Sequence, residues 1–322
     1  MSLKKTLAYI RRYKNFLITS HTNLEGDALG SELAFYFLLK KMGKGANIVN
    51  EDSAPLSYDF LPGINKINKF TRKLAGVKFD CFAILDCSSP QRCGRVWQIN
   101  TNNKPTLNID HHISNKKFAA VNWVETNVSS CSEMIYRLYK ELGIRFDKTT
   151  ATLLYVGILT DTGSFRYSNT TTQTHKIAAE LLKYDLDTAK IYNQAYGNMP
   201  FEDAKLFIKI ASKMKLAYSG KLAWFEIERD TLKNKSIRID LSEYLMNFAR
   251  AIKGVEVAVL LRENLGSDEV KINFRSQSKV DVNKIASFFG GGGHKTASGA
   301  TITGNISKAR RKVLAKIKES FI

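Results

Sequence analysis

Apolar residues along this chain fall into short runs that stop abruptly on acids and imidazoles. Phe16-Leu-Ile-Thr-Ser-His21 leads into Glu25 and Asp27, and Phe82-Ala-Ile-Leu-Asp86 ends on an acid. Leu107-Asn-Ile-Asp110 is followed at once by His111 and His112. Each run has the length of a buried strand. Segments of helical character separate them: Asp27 to Leu39, a stretch near 130–142, and one near 148–160 in which Leu153 to Leu159 leads into Asp161. Gly43-Lys-Gly-Ala46 reads as a helix stop ahead of a second strand at Asn47-Ile-Val-Asn50. Strand alternating with helix predicts a parallel α/β sheet. Strand ends that all release carboxylates and imidazoles would gather them along one sheet edge, where open α/β folds place their ligands.

The pattern changes after about residue 187. Asn193 to Ala204, containing Gly197 and Pro200, reads as a linker entering a long helix from Phe201 to Leu216. Strands are predicted at Leu222 to Ile227, Val255 to Leu261 and Val270 to Arg275, with helices near 241–252 and 280–288. Over Ile306 to Phe321, Ile306, Ala309, Val313, Leu314, Ile317 and Phe321 share one helix face, and most of the basic residues take the other. That is the pattern of a packed terminal helix with a solvated face. The expected architecture is a parallel-sheet domain over 1–190, a linker and connecting helix over 191–216, and a smaller mixed α/β domain over 217–322. The active site is expected in the cleft between the two domains.

A length of 322 residues suits two domains of ordinary size. The longest apolar runs fall far short of the roughly 20 residues that span a bilayer. Arg11-Arg12-Tyr13-Lys14 interrupts the first of them, so neither a membrane span nor a signal peptide is expected. Cys81, Cys87, Cys93 and Cys131 form no CxxC pair, which points to reduced thiols in a cytoplasm. A formal charge of +19 favours anionic partners, nucleotides and nucleic acid first, although the basic residues are scattered.

His21, Glu25 and Asp27 lie within seven residues, close enough for one loop to present all three. Asp86, His111 and Asp161 come from separate segments. Each alone reads as a packed histidine or a capping acid. Together they form a mixed imidazole and carboxylate set that suits manganese or a similar transition ion better than calcium. Six such ligands exceed what one ion takes while keeping a position open for water. Two ions about 3.5–4 Å apart, sharing bridging carboxylates, fit the count and imply phosphoester hydrolysis.

A second constellation lies near the C-terminus. Gly290-Gly-Gly-Gly-His294 follows Phe288 and Phe289, with Ala297-Ser-Gly299 soon after. By itself a glycine run is a flexible turn. Beside a metal cluster it becomes a candidate phosphate clamp, in which the amides of Gly291, Gly292 and Gly293 approach the anion and His294 donates to it. Arg275, with Ser276 at the end of a strand, offers a bidentate fork to the same group.

These motifs resemble the DHH phosphoesterase superfamily, in the branch carrying the DHH-associated domain, and the resemblance covers nearly the whole chain. His21-Thr-Asn-Leu-Glu-Gly-Asp27-Ala-Leu-Gly-Ser31 matches the first motif, Ile84-Leu-Asp86 the second, Asp110-His111-His112 the third, and Gly157 to Asn169 the fourth. Arg275-Ser276 and Gly290 to His294 match the associated domain. Size and order are most similar to the NrnA-type members, oligoribonucleases that also dephosphorylate 3′-phosphoadenosine 5′-phosphate (pAp).

The resemblance implies one manganese on His21, Glu25, Asp86 and Asp161 and another on Asp27, Asp86, His111 and Asp161, with magnesium or cobalt as substitutes. Water activated between the two ions would attack the phosphoester. Asp110 would orient a histidine, and His112 would stabilise the phosphoryl group or the leaving oxygen. Short oligonucleotides, linear dinucleotides and nucleotide bisphosphates are the implied partners, and a homodimer accords with the family. Glu25 stands where the family usually has aspartate, and its extra methylene pushes the carboxylate outward by roughly 1.5 Å. The competing expectations are a RecJ-type single-strand exonuclease, for which the chain is short, and a non-catalytic nucleotide sensor.

Overall fold

The computed structural model describes residues 2–232, 241–277 and 279–321. The chain forms two compact units, Met1–Asn198 and Met199–Ile322. In the first, α1 (Ser2–Arg12), β1 (Asn15–Thr19), α2 (Gly26–Lys41) and β2 (Gly45–Asn50) are followed by β3 (Ile67–Lys69), β4 (Cys81–Leu85), β5 (Thr106–Asp110) and β6 (Val121–Val124). Four helices complete it: α3 (Cys131–Glu141), α4 (Lys148–Asp161), α5 (Thr172–Leu182) and α6 (Thr188–Tyr196).

Its strands pair in the order β3-β2-β1-β4-β5-β6, and every pair is parallel. Both faces are covered, which is why the strands read as continuous apolar runs. Phe16, Ile18 and Ile109 pack with α2, α3 and α4 residues such as Leu33, Ile135 and Leu154. Leu17, Phe82 and Ile84 face Cys93, Val96 and Ile99 on the other side. The strand order reverses between β1 and β4. An open sheet has a crevice outside the carboxyl ends of its strands at such a point.

Gly30 on α2 sets how closely this helix crosses α4. A Cβ on Gly30 would lie 2.5 Å from the Leu153 carbonyl oxygen and 3.3 Å from the Gly157 amide nitrogen, and one on Gly157 would run into the Ser132 side chain of α3. Only hydrogen at Gly30 lets the α2 and α4 backbones meet, which brings Asp27 at the start of α2 towards Asp161 at the end of α4.

The second unit contains α7 (Phe201–Ala211), β7 (Lys215–Ala217), β8 (Leu222–Ile227), α8 (Arg229–Leu232) and α9 (Leu241–Arg250). After them come β9 (Val257–Glu263), β10 (Glu269–Ser276), α10 (Val282–Phe288), β11 (Gly292–Gly293), β12 (Ala297–Thr303) and α11 (Ile306–Lys318). Its mixed sheet runs β11-β12-β10-β9-β8-β7, with β8 and β9 parallel. Along β10 every second residue is buried, and Val270, Ile272 and Phe274 pack with Val313 and Ile317 of α11.

Two expectations are corrected here. The helix from Phe201 stops at Ala211, and Leu216 belongs to β7, paired with Ala223. Extended Lys215–Ala217 backbone satisfies its polar groups on β8, which helical period alone does not register. The expected linker is also shorter, since α6 runs to Tyr196 and α7 begins at Phe201.

Candidate metal centre

His21 follows β1, the central strand beside the switch point. Its Nδ1 lies 2.7 Å from the Thr22 carbonyl, which can only accept. Nδ1 therefore carries the proton and Nε2 turns inward, 3.5 Å from Asp86 Oδ2 and 3.7 Å from Glu25 Oε1. Glu25 precedes α2 as its N-cap residue but makes no side-chain capping bond. The longer glutamate arm thus reaches the group of ligand atoms formed with His21 and Asp86.

Asp86 follows β4 with φ of 50°. Aspartate tolerates this left-handed conformation better than most residues, and such outliers gather at functional sites. The turn splits its oxygens: Oδ2 faces His21, and Oδ1 lies 3.4 Å from His111 Nε2. His111 Nε2 is also 3.5 Å from Asp161 Oδ2 and 3.8 Å from Asp27 Oδ2. Asp27 is further fixed by the first amides of α3, Cys131 N donating to Oδ2 at 2.6 Å and Ser132 N to Oδ1 at 2.9 Å. At the far end of α4, Asn169 Nδ2 donates to the Asp161 carbonyl at 3.1 Å.

This crowding perturbs the buried charges of Asp27, Asp161, His21 and Asp86. Burial, with Asp86 and Asp161 nearby, pushes the Asp27 carboxyl well above the ordinary range. Burial likewise carries Asp161 up to about 8, with His111 opposing. Burial and Arg92 disfavour charge on His21, yet Asp86 and Glu25 draw its pKa up to about 10. Asp86 would be raised by burial, but His111 and His21 hold it well below the usual range. Protons thus occupy a cluster that wants positive charge. Asp86 Oδ1, buried and without a hydrogen-bond partner among the described residues, is the orphaned acceptor that a cation would satisfy. The donor set fits divalent metal, and binding would displace those protons.

Beside the cluster, His112 Nδ1 lies 2.7 Å from Asp110 Oδ1. Asn115 Nδ2 donates to the other Asp110 oxygen at 2.5 Å and to Asn108 Oδ1 at 2.8 Å. The carboxylate accepts, so His112 carries its proton on Nδ1. Its Nε2 lies 3.3 Å from Arg92 Nη1. Beneath the His21 loop, Asn50 accepts from Ser20 N at 2.9 Å and donates to buried Glu32 at 2.8 Å. Asp52 accepts from Asn23 N at 2.7 Å. Arg92, Asn115, Asn50 and Asp52 all escape a reading of the sequence. The only hint is their position just beyond a strand end that carries a candidate ligand or pairs with one that does.

In the second unit, Arg275 on β10 pairs in register with Ala297, and Gly293 with Ser298. One end of this sheet therefore carries Arg275, Ser276 and the glycine segment. Arg275 Nη2 donates to Glu243 at 2.8 Å. Ser276 is fully buried, and its hydroxyl donates to the Val280 carbonyl at 2.7 Å. The amide of Gly291 is committed to Ala286 O and that of His294 to Ala297 O. Gly292 and Gly293 form the edge strand β11.

If Glu25 is a ligand, Glu25→Ala should weaken manganese binding about 10–100-fold, the scale reported for lost supporting groups at metal sites. Glu25→Asp should retain binding. Equilibrium dialysis measures both, and parental manganese affinity in the alanine variant would remove Glu25 from the ligand set.

The description "DHH family, N-terminal domain" matches residues 15–158, and "DHHA1 domain" matches residues 227–321. The bifunctional oligoribonuclease and PAP phosphatase NrnA of Thermus thermophilus is 31% identical, covering 94% of this chain and 89% of that protein. The Bacillus subtilis protein of the same name is 30% identical, covering 91% of each. The crystal structure of an exopolyphosphatase-related protein from Bacteroides fragilis superposes with a TM-score of 0.88 at 27% identity, over 99% of this chain and 96% of that one. Ordered motifs, sheet topology and relatives that align nearly end to end agree: the chain belongs to the DHH family, as a hydrolase whose DHH domain is followed by a DHHA1 domain.

Proposed function

We propose that this protein is a manganese-dependent phosphoesterase that hydrolyses short oligonucleotides to mononucleotides and dephosphorylates pAp. The observation that carries the reading is Asp86, whose two oxygens are divided between the His21 and His111 groups. A carboxylate so placed suits a bridge between two sites. His21, Glu25, Asp86 and Asp161 would hold one ion, and Asp27, Asp86, His111 and Asp161 the other. Two bound ions would lower the pKa of water and neutralise the phosphoryl oxygens.

The chain's own residues supply orientation. Asp110 fixes the His112 ring by accepting from Nδ1, so that a protonated His112 would turn Nε2–H towards the phosphoryl group or the leaving oxygen. Arg275, His294 and the Gly292–Gly293 edge are proposed to receive a phosphate of the substrate away from the scissile bond. Fixing that phosphate accelerates reaction by alignment, and it favours substrates of a few nucleotides. The relatives named for oligoribonuclease and PAP phosphatase activity support this choice.

The test incubates the protein and manganese with a 5′-labelled RNA trimer, pAp, or a long single-stranded DNA. Cleavage of the trimer or pAp is expected, with Arg275→Ala raising KM about tenfold or more while leaving metal content unchanged, the scale of one lost charge-assisted contact. Preference for the long DNA would transfer the assignment to a RecJ-type exonuclease. Silence on all three would favour a sensor.

A further inference from the structure

Two arginines sit three residues apart in the segment after Asp86, and the fold treats them differently. Glu51 holds Arg95 completely: its Oε2 accepts from the Arg95 amide at 2.7 Å, and its Oε1 accepts from Nε at 2.7 Å and pairs with Nη2 at 2.6 Å. Gly94 between them has φ of 61°, and a Cβ there would sit 2.7 Å from Glu51. This turn fixes where Arg92 points. The Arg92 carbonyl accepts from Thr22 N at 2.7 Å, tying its backbone to the loop that carries His21 and Glu25.

The Arg92 side chain is half-buried. Among the described residues it makes no ion pair, and its one side-chain hydrogen bond goes to His112 Nε2 at 3.3 Å. A guanidinium carries five N–H donors in a planar fork. None of the Arg92 nitrogens is sealed from water without a partner, so the remaining donors are open to an anion that enters the site. The rings of His21 and His112 stand 6.1 Å apart, so Arg92 lies on the side of the cluster where His112 is.

Arg92 reaches the Asp110 carboxylate only through the His112 ring, so its fork stays available to an anion that enters beside the metal ligands. From this we infer that Arg92 is a substrate-binding residue whose guanidinium grips a non-bridging oxygen of the reacting phosphoryl group, opposite the metal ligands. Arg95 acts only as the anchor that holds the segment. The inference rests on the phosphoesterase reading for the identity of its ligand, but the anion contact can be measured apart from turnover.

The experiment measures inorganic phosphate binding by calorimetry on the manganese-loaded full chain, beside kcat/KM on the RNA trimer. The parent, Arg92→Lys and Arg92→Ala are compared at verified metal content. Arg92→Ala should weaken phosphate binding at least about tenfold and lower kcat/KM roughly 10²–10³-fold, as removal of a donor to developing charge does. Arg92→Lys should recover part of both, because it keeps the charge and loses the fork.

Phosphate affinity within about twofold of the parent in Arg92→Ala would overturn the inference. So would loss of manganese in step with phosphate in both variants, which would make Arg92 part of the metal scaffold. A parent that binds phosphate through Arg92 yet cleaves none of the substrates would leave this inference standing and sink the phosphoesterase reading.

Discussion

Asp86→Asn should abolish hydrolysis, lowering kcat about 10⁴-fold, the scale on which removal of one member of a catalytic unit falls. Asparagine keeps the size of the side chain and accepts a left-handed backbone more readily than almost any other residue. The φ of 50° at this position is therefore no obstacle. What disappears is the charge that both imidazole groups share. An amide offers one neutral oxygen where His21 and His111 each face a carboxylate oxygen at 3.4–3.5 Å. Manganese content should fall with activity, and circular dichroism should match the parent. If the asparagine variant keeps more than a hundredth of parental kcat with full manganese, Asp86 does not bridge two sites.

Gly30→Ala should destabilise the first unit although it adds only a single methyl group. Alanine is the better helix former by about 1 kcal/mol, so an exposed helix would gain. Here the new Cβ would meet the Leu153 carbonyl oxygen at 2.5 Å, and a backbone oxygen inside a packed helix cannot rotate away. Overpacking of this kind costs about 3 kcal/mol or more, a net loss of about 2 kcal/mol. The midpoint of thermal unfolding should fall by roughly 4–8 °C for a domain of this size. Manganese affinity should fall too, because parting α2 from α4 separates Asp27 from Asp161, and metal–ligand distances tolerate only about 0.2 Å. An alanine variant that melts with the parent and binds manganese equally well would show that the crossing can relax without moving its acids.

Much of this arrangement is legible in the chain. The runs ending at His21, Asp86 and Asp110 are parallel strands buried on both faces, so their continuous apolar character survives as a local signal. The helix delivering Asp161 is read from its length and period. Other elements give no such signal. Strands β3 and β7 are three residues each and lie at sheet edges, where local propensity is weak and the partner strand supplies the hydrogen bonds. The glycine segment from Gly290 reads as a turn, yet Gly292 and Gly293 form an edge strand on β12, a pairing fixed by contact with Gly299 and Ser298.

Consecutive residues carry the chemistry and its order along the chain: which strand ends bear acids and imidazoles, and that a glycine-rich segment follows in a second α/β region. That information is local, because side-chain period and strand length are written in consecutive residues. The remainder comes from how distant segments pack. That packing divided the Asp86 oxygens between His21 and His111, set the tautomers of His21 and His112, and brought α2 and α4 to glycine contact. It also gave Arg95 a carboxylate and left Arg92 beside His112. These outcomes depend on distances between segments tens of residues apart, and charge and hydrogen bonding become specific only when such groups are buried within a few ångströms of one another.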